Sequence, residues 1–174
     1  YRVGNQNTVA LGSLFKAKDG ADIGTVDVTI SDENAIYTAN SDWTKSTIQF
    51  AGTGPVTVTI DDNKFTNELT LNLEVVDAKN ITTASSSIGG ADVVLLNDVK
   101  VSNGGTALYY NCTVYGNGFT FDVQGGMNKY DSAQGHGIII IKGATLDNLV
   151  IVGEVYDKYS VYTKDLTGSL VEDY

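Results

Sequence analysis

The strongest constraint on the fold is a change in strand pattern along the chain. In the second half three runs are almost continuously apolar, VVLL (93–96), IIII (138–141) and LVIV (149–152). Such runs mark strands buried on both faces or stacked in parallel. Parallel strands are ordinarily joined by crossover helices, yet helical periodicity is nearly absent and the connections are too short to hold one. A chain with these properties is expected to coil, each turn stacking on the last.

The spacing agrees with a coil. Val101 precedes Gly104-Gly105, Val123 precedes Gly125-Gly126 and Val152 precedes Gly153. The two intervals, Val101 to Val123 and Val123 to Val152, fall within the roughly 20–50 residues of a solenoid repeat, and about three or four turns fit. The longer interval holds a polar insertion, MNKYDSAQG (127–135), expected at one corner. YGNGFTFDVQGG (115–126) reads as a strand over Phe119–Val123 with Gly116–Gly118 turning one corner and Gly125-Gly126 the next. Asn97 and Asn148 precede apolar strands in the same way. Stacked Asn side chains there would hydrogen-bond each other and the backbone, and Asn tolerates left-handed corners.

The first half alternates instead. TVDVTI puts Val26, Val28 and Ile30 on one face, PVTVTI does so with Val56, Val58 and Ile60, and LTLNLEVV with Leu69, Leu71, Leu73 and Val75. Strands are expected at Thr8–Phe15, Thr25–Ser31, Ala35–Thr38, Ser46–Ala51, Pro55–Asp61 and Leu69–Val76. Half-buried strands separated by frequent turns suit an antiparallel β-sandwich, with Trp43 and Phe50 as large core residues. The small, polar stretch TTASSSIGG (82–90) is the best linker. The expected fold is all-β in two domains: a sandwich over 1–82 and the coil over 83–174.

TVDVTISD, STIQFAGTGPVTVTIDD and LTLNLEVVDA resemble the bacterial immunoglobulin-like and cadherin-like modules of secreted surface proteins. There, an apolar strand, a Gly-Thr-Gly turn and VTVTI make up a penultimate hairpin. DVVLLNDVKV, TVYGNGFTFDV and GATLDNLVIVGE resemble the opening turns of a right-handed parallel β-helix of the pectate-lyase-like kind. The sugar-cleaving members of that fold use acidic and basic residues on one sheet. VVLL, FTFDV and LVIV contain no basic residue, so no catalytic set transfers.

Eleven Lys and Arg stand against 21 Asp and Glu, a net charge of −10. Such a surface repels nucleic acid and anionic membranes and leaves divalent cations and neutral glycans as ligand classes. No run of about 18 apolar residues is present to cross a membrane as a helix. One cysteine, Cys112, allows no intrachain disulfide and, with the single His136, no Cys/His zinc site. His136 lies between glycines with no Gly-x-Ser-x-Gly elbow, and reads as a loop residue. Cys112, among apolar neighbours, reads as a small buried residue. NIT (80–82) and NCT (111–113) match the short glycosylation pattern, which arises often by chance.

Two ligand sites are expected. Asp61, Asp62 and Asn63 at a strand end, with Asp77 near the domain border, offer the oxygens calcium takes; Asp32, Glu33 and Asn34 offer a similar set. The competing reading is that all are turn residues. Eight of ten tyrosines follow residue 108, and Tyr156, Tyr159 and Tyr162 in VYDKYSVYT suit stacking on sugar faces; ordinary strand composition is the alternative. No other cofactor is implied.

The chain opens on Tyr1 and has no signal or sorting motif, so we expect a segment of a longer protein with further domains. The expected function is non-catalytic: spacing, adhesion or the binding of glycan or host-surface protein in a secreted or cell-surface bacterial protein. The alternative is the N-terminal part of a β-helix polysaccharide lyase or glycoside hydrolase. A second sandwich over 83–174 is a further alternative to the coil.

Overall fold

The structure is a computed structural model describing residues 1–60, 64–65, 69–83, 90–100, 107–110, 112–122, 138–141, 145–157, 162–164 and 167–172. Among them it is all-β, with two single-turn 3-10 helices and no α-helix. The chain divides into two compact units, Tyr1–Asn80 and Ile81–Tyr174.

Among its described residues the first unit holds β1 (Arg2–Gly4), β2 (Val9–Ala10), β3 (Val28–Ile30), β4 (Ile36–Thr38), β5 (Thr47–Gln49), β6 (Gly54–Ile60) and β7 (Thr70–Val76). They form a four-stranded sheet in the order β1-β7-β6-β3 and a three-stranded sheet in the order β2-β5-β4. All pairs are antiparallel except β1 with β7, which run parallel. The alternation works as expected where strands are longest: Val58, Ile60, Leu73 and Val75 are buried between exposed or half-buried residues. Val9 and Ile48 bury the other sheet, and Phe50 is 1% exposed. Trp43 is half-buried and sits edge-on to Phe65 with ring centroids 4.9 Å apart.

Two expectations are corrected here. Thr8–Phe15 is strand only over Val9–Ala10, and Leu11–Ser13 turns as a 3-10 helix. Leu11, Leu14 and Phe15 are all buried, at the i, i+3, i+4 spacing of a helical turn, so local winding rather than extension buries all three. The Gly-Thr-Gly of residues 52–54 closes no hairpin. β5 pairs with β2 and β4, whereas β6 pairs with β3 and β7, so this turn carries the chain from one sheet to the other. Gly54 makes the change of direction at φ +117°, a backbone that side chains rarely adopt.

β8 (Lys79–Ile81) spans the dividing line. The second unit continues with β9 (Val93–Leu95), β10 (Val99–Lys100), β11 (Ala107–Tyr110), β12 (Thr113–Tyr115), β13 (Thr120–Asp122), β14 (Ile138–Ile141), β15 (Thr145–Asp147), β16 (Val150–Asp157), β17 (Tyr162–Lys164) and β18 (Thr167–Glu172). One sheet has the order β17-β15-β12-β9-β8; the other runs β10-β13-β16-β14-β11, with β18 also beside β16. The pairing is parallel, and strands face their equivalents one pass later. Val93 faces Val114, which faces Leu146, which faces Thr163, so the passes are unequal in length. The longest, from Val114 to Leu146, includes the connection 123–137 between β13 and β14, and the expected insertion lies within it.

The interval expected from Val101 to Val123 agrees with the register just before it, where Val99 faces Phe121 and Lys100 faces Asp122. The next is corrected by one position: Val152 faces Asp122 rather than Val123. The corner between the sheets changes length at every pass. Four residues separate Val94 from Val99, five separate Tyr115 from Phe121, and three separate Asp147 from Ile151.

The middle corner is Gly116-Asn117-Gly118-Phe119. Phe119 N donates to Gly116 O at 2.8 Å, and Asn117 (φ 52°) and Gly118 (φ 79°) both have positive φ, a type I′ turn on its preferred Asn-Gly pair. Gly116 is required by stacking: a Cβ there would run into Asn148 O and lie 2.7 Å from Leu149 Cα. The corner asparagines bond carbonyls of the preceding pass: Asn117 Nδ2 donates to Leu95 O at 3.0 Å and Asn97 Nδ2 to Thr82 O at 3.1 Å. Gly125-Gly126 lie outside the described residues.

Candidate functional site

A recess of about 400 Å³ opens on the first unit, where the β3–β4 and β5–β6 connections meet. Ser31, Asp32 and Asn34 form one wall; Ala51, Gly52, Thr53, Pro55 and Val56 form the other. Local hydrogen bonds fix the first wall. Asp32 Oδ1 accepts from Asn34 N at 3.0 Å and its backbone O from Ala35 N at 3.1 Å, the arrangement of an Asx turn. Asp32 Oδ2 accepts from Ala51 N at 3.2 Å and ties the two walls together. Ser31 N donates to Thr57 O at 3.0 Å, and Ser31 Oγ accepts from Thr57 N at 2.8 Å. Asp32 therefore serves as a brace: both carboxylate oxygens already accept amides.

What remains toward solvent mixes polar and apolar groups: Asn34 on the first wall, and Thr53 beside Pro55 and Val56 on the second. Asn34 and Thr53 are exposed, and Pro55 and Val56 supply a ring and a branched aliphatic surface. The volume falls within the roughly 300–1,000 Å³ of small-molecule sites. An amide and a hydroxyl close to the Pro55 and Val56 surface suit a ligand with a hydroxylated edge and a C–H face.

Of the expected calcium set, only Asp77 lies among the described residues. Asp61, Asp62 and Asn63 lie outside the described residues. Ile60, which precedes them, and Val76, which precedes Asp77, lie at opposite ends of the antiparallel β6–β7 pair. Asp77 is exposed and accepts from Gln6 Nε2 at 3.2 Å. Among the described residues no three His, Cys, Asp or Glu side chains group to hold a metal ion, and no helix is long and apolar enough to cross a membrane.

Two members of the expected tyrosine cluster lie on described strands. Tyr156 lies on β16, at the register position between Ile139 and Val171. Tyr162 lies on β17 of the other sheet, opposite Thr145. Tyr159 and His136 lie outside the described residues. Register places Tyr162 in a row with Thr113 and Thr145, while Tyr115, Asp147 and Lys164 form another row. Thr113 and Tyr115 point away from the core, because the intervening Val114 is 0% exposed. Tyr115 is half-buried and Asp147 buried, so that part of the row is sheltered. Cys112 is buried, as expected.

The recess escapes sequence reasoning, although AGTGP carries Thr53 and Pro55 in a visible turn and SDEN stands out by its charge. Nothing local says that two turns so far apart in sequence face each other. Comparison with protein-family models, curated proteins and solved structures finds no match.

Proposed function

We propose that the chain is a binding and spacing segment of a secreted or cell-surface bacterial protein, built from an immunoglobulin-like sandwich followed by the first turns of a right-handed parallel β-helix. The observation that carries this reading is the strand order. β7-β6-β3 and β2-β5-β4 match the G-F-C and B-E-D strands of an immunoglobulin-like topology, with β1 at the edge beside β7 rather than beside β2. The second unit repeats strands in parallel register on successive passes, which supports a β-helix. Right-handedness follows the general preference of parallel crossovers. The recess beside Asn34, Thr53 and Pro55 is the ligand site, and a neutral glycan is its ligand.

The test is binding of the full chain to an array of neutral and acidic glycans. Retention on a neutral glycan, reduced at least tenfold in the Asn34→Ala/Thr53→Ala double variant, is expected; about 1.4 kcal/mol corresponds to that factor. No retention on any glycan overturns the ligand assignment. Release of oligosaccharides from a polymer by the chain overturns the non-catalytic reading.

A further inference from the structure

We infer that the first unit is a mechanical clamp, closed by β1, β7 and the side chain of Asn80. β1 and β7 are parallel, with Arg2 opposite Glu74 and Gly4 opposite Val76. The chain therefore enters the pair at one end, beside Glu74, and leaves it at the other, beyond Asn80. Tension between Tyr1 and residue 81 pulls the two strands along their axis in opposite directions and loads their hydrogen bonds together rather than in succession.

The stitching extends beyond the paired residues. Glu74 N donates to Tyr1 O at 2.9 Å, Asn5 N to Val76 O at 3.1 Å and Gln6 N to Ala78 O at 3.1 Å. Asn80 then grips the β1 segment. Its Oδ1 accepts from Gly4 N at 2.7 Å, and its Nδ2 donates to Gly4 O at 2.9 Å and to Asn7 O at 3.2 Å. Asn7 answers: its Oδ1 accepts from Asn80 N at 2.7 Å and its Nδ2 donates to Asn80 O at 3.0 Å. Asn80 is 6% exposed, and Val3, Val75 and Ala78 are at most 1% exposed, so water has little access to the two Asn80–Gly4 bonds as they stretch, while the three bonds with half-buried Asn7 are partly sheltered. Gly4 leaves room for this approach, since a Cβ there would lie 2.6 Å from Ala78 C. Two asparagine side chains making five bonds between segments 73–76 residues apart is more than the end of a strand needs. The clamp is a property of this unit alone and stands whether or not the recess binds glycan.

Single-molecule pulling of the full chain in a Cys112→Ala background tests it, with one handle at the N-terminus and the other on a cysteine introduced by Thr82→Cys or by Leu69→Cys. The first placement shears β1 against β7; the second loads both strands from the same end and peels them. Forced unfolding reports the unfolding barrier. The shear force is expected to exceed the peel force severalfold, and Asn80→Ala to lower the shear force while leaving the peel force unchanged. If Asn80→Ala does not fold, Asn7→Ala removes the reciprocal bonds and carries the same expectation. Equal forces in the two directions, or a shear force unmoved by the variants, overturns the clamp.

Discussion

Two glycines of one turn, Gly116 and Gly118, answer to different physics. Gly116 has no room for a Cβ against Asn148 and Leu149, whereas a Cβ at Gly118 would meet only ordinary contact with the Asn148 side chain at 3.9 Å but sits at φ +79°. Gly116→Ala forces the stacked pass to move and is expected to destabilise by about 1–3 kcal/mol, the cost of overpacking. Gly118→Ala meets only backbone strain of about 1–2 kcal/mol, and Gly118→Asn recovers part of it because Asn visits this region. Urea midpoints of the three variants check the order. Asp42 shows a charge acting just as locally. It caps the 3-10 turn Trp43–Lys45, accepting from Thr44 Oγ1 at 2.6 Å and Thr44 N at 3.2 Å and pairing with Lys45 Nζ at 2.9 Å. The Thr44 hydroxyl first, then Lys45, hold its carboxyl below the usual carboxylate range. A depressed pKa adds stability above the unfolded value of about 3.9, and that stability is lost as pH falls through the folded pKa. Carboxyl NMR should place Asp42 below ordinary aspartates, and Thr44→Val and Lys45→Ala should each raise it.

At the scale of the element, strands of the second unit receive help from carboxylates one pass away. Asp98 Oδ1 accepts from Thr120 N at 2.8 Å, and Asp92 Oδ1 from Thr113 N at 2.7 Å, each where a strand begins. Asp98→Ala is expected to speed amide exchange at Thr120 by about tenfold, a local opening cost near ~1.4 kcal/mol, and to leave Thr113 unchanged; Asp92→Ala should do the reverse. Each bond joins residues a full pass apart, and that separation explains what the sequence shows and hides. Alternation over Val56–Ile60 and Leu71–Val75 is local, and it reads correctly, whereas Leu69 precedes the strand and is exposed. β1 has one apolar residue, Val3, and exists because it pairs with β7 at the far end of the unit, which no local pattern announces. The interval from Val101 to Val123 is legible because a Gly-Gly pair follows each valine in the sequence. The next is offset by one position because corners of four, five and three residues keep no fixed period. In a strand such a slip reverses which side chains face inward. The recess is hidden for the same reason as β1: its walls are separate turns joined by the Asp32–Ala51 bond.

The whole molecule carries two cores, one around Val3, Ile48, Phe50 and Val75 and one around Leu95, Val114, Phe121 and Leu146. Units with their own cores unfold as separate cooperative blocks, and a single unfolding free energy then has no meaning. The sequence supplies a native reporter for each. The only tryptophan, Trp43, lies in the first unit against Phe65, and the only cysteine, Cys112, is 4% exposed in the second. Trp43 fluorescence and Cys112 thiol labelling, followed through one urea titration, are therefore expected to give two curves with different midpoints. The substitutions sort them. Asn80→Ala strands the buried Gly4 amide and carbonyl, each costing about 1–3 kcal/mol, and should shift the Trp43 curve while leaving the Cys112 curve in place. Gly116→Ala should move the Cys112 curve alone. If either substitution moves both curves together, the two units do not unfold independently and the chain unfolds as one block.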